Sequence, residues 1–171
     1  MKNGIAILLT VILALGGCTE NKNSPKVHEV DWEKHTAETL PVACIVKGCT
    51  YLPVYSQIYQ MHASRTYDLT ATASIRNMSP KDTIYLQRAD YYNAEGCLVR
   101  SYLHHTVYLK PLETLAIVIS ENDRAGGTGS SFLFDWAAQK ESDAPLFEGV
   151  MISTSGQQGI SFLTRGVRVD R

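Results

Sequence analysis

Apolar and polar residues alternate along most of the chain in short runs, and turn-forming residues divide the runs at intervals of about 8 to 12 positions, the grammar of a sandwich or barrel. Residues 67–77 show it best. Leu69, Ala71, Ala73 and Ile75 fall on one side of an extended segment, while Asp68, Thr70, Thr72, Ser74 and Arg76 fall on the other, because successive side chains of a strand point to opposite faces. Asn77-Met78-Ser79-Pro80-Lys81-Asp82 is a turn cluster, and Thr83 to Tyr92 reads as the next strand. Asn93-Ala94-Glu95-Gly96 predicts a tight hairpin with Gly96 in the left-handed position, from which Cys97 to Leu103 returns. Earlier, Thr50 to Tyr59 is rich in β-branched and aromatic residues, with Pro53 suggesting an edge. Later come Val107 to Leu109, an apolar run from Leu115 to Ile119 too short for a helix, and Phe132, Phe134 and Trp136 on alternate positions. Leu146 to Thr154 and Ile160 to Val169 supply the last strands. No stretch sustains a helical period. The pattern predicts an all-β chain folded as a two-layer antiparallel β-sandwich, immunoglobulin-like in kind.

The N-terminus breaks this pattern. After Lys2, the run from Gly4 to Leu15 is apolar apart from Thr10, as in the n-region and h-region of a secretory signal peptide. It is shorter than the roughly 20 residues a spanning helix needs. Leu15-Gly16-Gly17-Cys18 resembles the bacterial lipobox, so residues 1–17 are expected to be removed as a lipoprotein signal peptide and Cys18 to be lipidated. Acyl chains bind a bilayer at about 0.8 kcal/mol per buried methylene, which would hold the protein on a membrane through Cys18. Thr19 rather than Asp follows that Cys. In a Gram-negative cell this resembles sorting to the periplasmic face of the outer membrane. Residues 18–48 then form the lipidated Cys and a polar tether, and residues 49–171 the β-sandwich domain. Within the tether, Asp31 is expected to open a short helical turn from Trp32 to Thr39, and Trp32 to dock on the domain.

Charge narrows the partners. The 171 residues carry 16 Lys+Arg against 17 Asp+Glu, a net charge of -1. Loss of residues 1–17 removes one Lys and leaves a net of -2. A surface without a basic surplus does not displace counterions from phosphate, so no nucleic-acid partner is expected. The composition, 44% hydrophobic and 19% charged, fits one packed domain.

No arrangement of residues points to a reaction, and no catalytic residue, metal or cofactor is predicted. Gly126-Gly127-Thr128-Gly129-Ser130-Ser131 has the glycines of a phosphate loop, but no Lys follows in the required place and a strand follows instead of a helix. His104 and His105 would point to opposite faces if extended, away from a shared metal. A ligand rim is the sharper reading of two polar loops, because loops on rigid sandwiches usually carry recognition. Gly126, Gly127 and Thr128 would form one side, and Ser153, Thr154, Gln157 and Gln158 the other, with Arg165 offering its guanidinium to a carboxylate or phosphate. Arg76 and Arg100 are expected to pair with Asp90 or Asp135. In an oxidising compartment Cys44 and Cys49 are expected to form a local disulfide, and Cys97 to be a small buried strand residue. The many tyrosines read as cross-strand pairs, or as a carbohydrate platform or docking face.

Several segments together resemble a known family. They are Tyr51-Leu52-Pro53-Val54-Tyr55-Ser56-Gln57-Ile58-Tyr59, Leu69-Thr70-Ala71-Thr72-Ala73-Ser74-Ile75-Arg76-Asn77, Asp90-Tyr91-Tyr92, Leu98-Val99-Arg100-Ser101-Tyr102-Leu103, Gly126-Gly127-Thr128-Gly129, and Gln158-Gly159-Ile160-Ser161-Phe162 with Arg165-Gly166. From about Tyr51 to Val169 the chain is similar to the uncharacterised bacterial family of domain of unknown function 3124. The resemblance implies a single secreted or lipid-anchored domain and supplies no activity, cofactor or catalytic residue. The functional expectation is a non-catalytic binding or assembly module of the cell envelope, with an envelope protein or glycan as partner. The alternative is a small-ligand receptor or envelope enzyme whose site lies between the 123–131 and 153–165 loops.

Overall fold

The alternation predicted over residues 67–77 is divided between two strands, one ending at Asp68 and the next spanning Thr70–Arg76, and its inward residues Leu69, Ala71, Ala73 and Ile75 are all at most 1% exposed. The computed structural model describes residues 30–40, 45–154 and 159–169. The predicted signal peptide, Cys18, Cys44, Gln157 and Gln158 lie outside the described residues.

The chain is nearly all β. Its strands are β1 (Ile45–Pro53), β2 (Gln57–Gln60), β3 (His62–Asp68), β4 (Thr70–Arg76), β5 (Ile84–Tyr92), β6 (Leu98–Ser101), β7 (Val107–Leu109), β8 (Thr114–Ile119), β9 (Ser131–Gln139), β10 (Leu146–Ser153), β11 (Ile160–Arg165) and β12 (Val167–Val169). One sheet has the order β12-β1-β9-β5-β6, with β7 also paired to β5, and the other has the order β11-β10-β4-β8. β2 and β3 form a separate hairpin. All pairings are antiparallel and neither sheet closes into a barrel, so the fold is the two-layer β-sandwich that the alternation predicts.

The core lies between the layers, and an aromatic row joins them. Phe132 and Phe134 of β9 stack at 5.3 Å between ring centroids, and Phe134 stacks on Phe147 of the opposite sheet at 4.6 Å. Tyr91 of β5 packs on Phe132 at 4.9 Å. A bulge between Leu86 and Arg88 resets the alternation of β5: Ile84 and Leu86 face the core before it, Ala89 and Tyr91 after it. The extra residue shifts the parity that a strict two-residue period would assign.

Pro53 does not mark an edge. β1 is an interior strand, flanked by β12 and β9. Proline is tolerated there because it is the last residue of β1 and lies beyond the Cys49–Tyr51 stretch that β12 covers. The segment Ile160–Val169 is two strands in different sheets. The chain changes layer at Gly166, where a Cβ would meet Thr50 Cγ2 at 2.6 Å and Phe147 Cβ at 2.9 Å.

The strand directions define two poles. Ile45 opens β1 beside Gln139 at the end of β9, and Pro53 closes it beside Ser131. Nine residues at roughly 3.3 Å each put about 30 Å between the poles. At the entry pole Asn77 ties the sheets together: its side-chain amide donates to the carbonyls of Asp82 at 2.8 Å, Leu109 at 3.1 Å and Lys110 at 2.9 Å, and its oxygen accepts from Ser79 N–H at 3.0 Å.

The segment before β1 is docked near that pole. A 3-10 turn spans Trp32–His35, ending before the predicted Thr39, and Asp31 makes no side-chain cap. Asp31 pairs with Lys34 instead, at 2.8 Å. Val30 and Trp32 pack against the core, and Thr36 forms an antiparallel bridge with Val107 of β7. His35 Nε2 lies 3.0 Å from Glu113 Oε1, and Thr36 Oγ1 lies 2.9 Å from His105 Nε2. Among the described residues no helix is long and apolar enough to cross a membrane.

Candidate functional site

The second pole gathers the loops. β1 leaves it through Val54 to Ser56, β3 returns to it, β5 and β6 turn around there, and β8 and β10 end there. Val54 N–H donates to Ser130 C=O at 2.9 Å and extends the β1–β9 pairing past Pro53, and Leu69 N–H, just before β4 of the other sheet, donates to Ser56 C=O at 2.8 Å.

Of the predicted rim residues, Ser153 lies beside Glu121, which is not one of them. The 120–130 loop and the end of β10 meet, with Ser153 Oγ 3.3 Å from Glu121 Oε1. Ser153 is buried and Thr154 exposed. Gln157 and Gln158 lie outside the described residues, so this half of the rim is described only to Thr154. Arg165 is not part of it. It ends β11, at the opposite end of that strand from Ile160, 70% exposed, with Nη2 3.9 Å from Glu148 Oε1. Five positions along an extended strand carry a side chain roughly 16 Å, which removes it from the loop pole.

The glycine loop is not a hollow cradle. Gly127–Gly129 is a single 3-10 turn followed by β9. Gly126 is buried because the Tyr91 hydroxyl occupies the place of its missing side chain, and Gly127 takes φ +68, the left-handed region that glycine enters without penalty. Its carbonyls are engaged by neighbouring loops: Ala94 N–H donates to Gly126 C=O at 3.2 Å and Ser56 Oγ to Gly127 C=O at 3.1 Å. Thr128 Oγ1 donates to Tyr59 Oη at 3.2 Å. Tyr91 Oη donates to Ser130 Oγ at 3.3 Å, and that hydroxyl donates to Val54 C=O at 3.0 Å. The glycines therefore let three turns interlock.

Ion pairs brace the same pole from outside. Arg124 pairs with Asp68 through Nη2 and also donates from Nε at 3.0 Å, and Gln57 donates to the other oxygen of that carboxylate at 2.7 Å. Arg124 and Gln57 together hold the Asp68 pKa below its ordinary value against a small opposing effect of burial. Arg100 reaches Asp123 at 3.1 Å and the Tyr102 hydroxyl at 2.8 Å. Arg100 thus does not pair with Asp90, because it alternates with Ser101, the residue opposite Asp90, and faces the other way. Arg76 does not pair with Asp90 or Asp135 either. It lies in the other sheet and meets Glu148 at 3.3 Å, while Arg88 takes Asp135 at 2.9 Å and Asp90 at 3.8 Å.

What this pole exposes is the β2–β3 hairpin. Tyr59 is 63% and Met61 86% exposed, and Met61 has φ +61, a conformation that costs a non-glycine residue about 1–2 kcal/mol. His62 and Arg65 are exposed on the same arm. Sequence reasoning missed this hairpin, since β3 is largely polar and exposed and has no apolar period. Only the left-handed Met61 marks its turn, and no residue type announces that conformation.

Cys97 is exposed, not buried as expected. It closes the β5–β6 turn before β6 begins, with its N–H donated to Asn93 Oδ1 at 2.8 Å. Cys49 is buried, and Arg88 Nη2 lies 3.7 Å from its sulfur. Its predicted partner Cys44 lies outside the described residues. The tyrosines do not form one platform: Tyr91 is internal, Tyr55 packs edge-on against Phe162, and Tyr51 and Tyr59 are exposed on different strands.

A family model described as protein of unknown function (DUF3124) matches residues 47–169. No curated protein matches the chain. Among solved structures, the crystal structure of Thermotoga maritima 1070 is similar at 10% identity and a TM-score of 0.45, over 70% of this chain and 92% of that one. At that level the likeness carries no functional information.

Proposed function

The chain belongs to the DUF3124 family of proteins of unknown function, and we propose that it is a lipid-anchored binding or assembly module of the cell envelope that presents its loop pole to an envelope protein or glycan. One observation carries the reading. The Trp32–His35 turn docks at the entry pole, where His35 meets Glu113, and the interlocked loops lie about 30 Å away at the other end of β1. With Cys18 in a bilayer, the Leu15-Gly16-Gly17-Cys18 lipobox, the tether and the docked Trp32–His35 turn would hold the loop pole outward.

A macromolecular partner fits better than a small ligand at this pole. The space among the glycines is filled by Tyr91 and faces Ala94, whereas Tyr59, Met61, His62 and Arg65 project from a braced hairpin. Aromatic, methionine and arginine side chains on a rigid base are the usual anchors of a protein-binding patch.

Two experiments test the reading. Photocrosslinking residues placed at Tyr59 and Met61 in cells should capture a defined partner, while one placed at the exposed Lys81, at the entry pole, should not. Equal capture at both poles, or none at the loop pole, would contradict it. Cys18→Ser should release the protein from membrane fractions; unchanged partition would remove the anchor from the proposal.

A further inference from the structure

Arg165 fails the loop rim but borders a second cavity. Between the sheets, at the entry pole, a cleft of about 330 Å³ is floored by Trp136 and Phe147 and walled by Met78, Pro145, Arg165 and Arg168. It exists for a topological reason. The chain crosses from β11 to β12 at Gly166, and β10 follows Pro145, so the two layers part on this side. Its size is that of small-molecule pockets, which run to about 300–1,000 Å³ and pair mostly apolar walls with a few placed polar groups.

The charged residues that line the cleft are Arg165 and Arg168, with the Glu148 carboxylate beside Arg165. Glu148 is shared between Arg76 at 3.3 Å and Arg165 at 3.9 Å, so one carboxylate serves two guanidiniums. Arg165 is held only at the outer limit of an ion pair and is 70% exposed. Arg168 is fixed across the Trp136 ring, 5.3 Å from its centroid, and donates to Lys47 C=O at 3.2 Å. The Trp136 indole N–H is already donated to Thr50 Oγ1 at 3.0 Å, so the floor's polar atom is satisfied, while Trp136 and Phe147 are themselves buried and the accessible apolar lining is Met78, Ala144 and Leu146.

We propose that this cleft binds an anionic amphiphile, with its apolar portion along Met78, Ala144 and Leu146 above the buried Trp136 and Phe147 and its carboxylate or phosphate head on Arg165 at the mouth. Transfer of an alkyl chain to such a surface is favourable at about 25 cal/mol per Å² of apolar area removed from water. A guanidinium pairs with a carboxylate or phosphate through two parallel hydrogen bonds. The same head group could come from a free amphiphile or from a membrane lipid. The site stands on its own lining and does not depend on the loop pole.

The test uses the full chain in phosphatidylcholine vesicles. The sequence has two tryptophans, Trp32 and Trp136, so Trp32→Phe leaves Trp136 fluorescence as the reporter of the cleft. Octanoate, and separately octanamide as its neutral counterpart, is titrated. A saturable Trp136 response to octanoate at least tenfold tighter than to octanamide supports a free amphiphile. A response seen only when phosphatidylglycerol replaces part of the phosphatidylcholine supports a lipid head group. Arg165→Gln should weaken either response at least tenfold without changing the unfolding midpoint, and Arg165→Lys should restore part of it. Absence of both responses, equal response to octanoate and octanamide, or indifference to Arg165→Gln overturns the proposal.

Discussion

Trp136 fills the space that a side chain on Gly48 would take. The two are register partners across β1 and β9, and a Cβ at Gly48 would overlap the indole, with Trp136 Cε2 at 2.6 Å. The ring can then reach Thr50 and receive Arg168. Gly48→Ala should therefore destabilise the fold by about 1–3 kcal/mol, the range for overpacking a filled site. Denaturant titration checks this, and Trp136→Phe in the same background should relieve part of the loss.

Asn77→Asp tests the tie at the entry pole. A carboxylate cannot donate to the three carbonyls that the Asn77 amide now serves, and the side chain is only 3% exposed. Buried acceptors left unpaired cost about 1–3 kcal/mol each. The variant should lose about 3 kcal/mol or more of unfolding free energy at neutral pH, and partly recover in acid as the carboxyl is protonated.

The docked N-terminal segment should respond to pH. Burial disfavours the His35 imidazolium, but the Glu113 carboxylate and the Asp31 carbonyl outweigh it and raise its pKa above the ordinary value. For Glu113, burial opposes charge while His35 and the Lys110 N–H prevail and lower its pKa. The His35 contribution is complete below about 6.5 and fades as pH rises through its raised value; that of Glu113 is complete above about 4.3 and fades as pH falls through its lowered value. Docking should be tightest between about pH 4.3 and 6.5. Hydrogen exchange of residues 30–37 measures it, and Glu113→Gln should flatten the alkaline limb.

Gly126→Ala and Gly127→Ala separate two roles in one loop. Gly127→Ala meets only the left-handed strain of φ +68, about 1–2 kcal/mol. At Gly126 the new methyl would collide with the Tyr91 hydroxyl and the Ser130 Cβ at 2.7 Å. Thermal unfolding should show the larger loss for Gly126→Ala, and Tyr91→Phe should rescue that variant and not the other.

Much of the fold was legible because burial imposes a period of two. The inward set of β4, the aromatics of β9 and the β5–β6 turn at Gly96, φ +77, lie where the alternation put them. The bulge in β5 and the β2–β3 arm were not legible. A bulge shifts parity without a required residue type, and an exposed hairpin needs no apolar code. The candidate sites were harder still. The glycine loop could be read as a plain inter-strand loop or as one side of a ligand rim, because a glycine that avoids Tyr91 and one that admits a ligand are the same letter.

The sequence by itself determined the class of structure and its layers, since each strand must hide one face from water. It also carried the expectation of an anchor, because signal and lipobox are read as linear text. The tertiary structure alone decided which polar residues meet. Glu121, in a loop, and Ser153, at the end of β10, touch although they are 32 residues apart in the chain, while Arg165, on the strand that follows, faces a cleft at the opposite end. Such meetings depend on strand order, on the layer change at Gly166 and on where the sheets part. These are properties of the packed layers, to which no single run of residues has access.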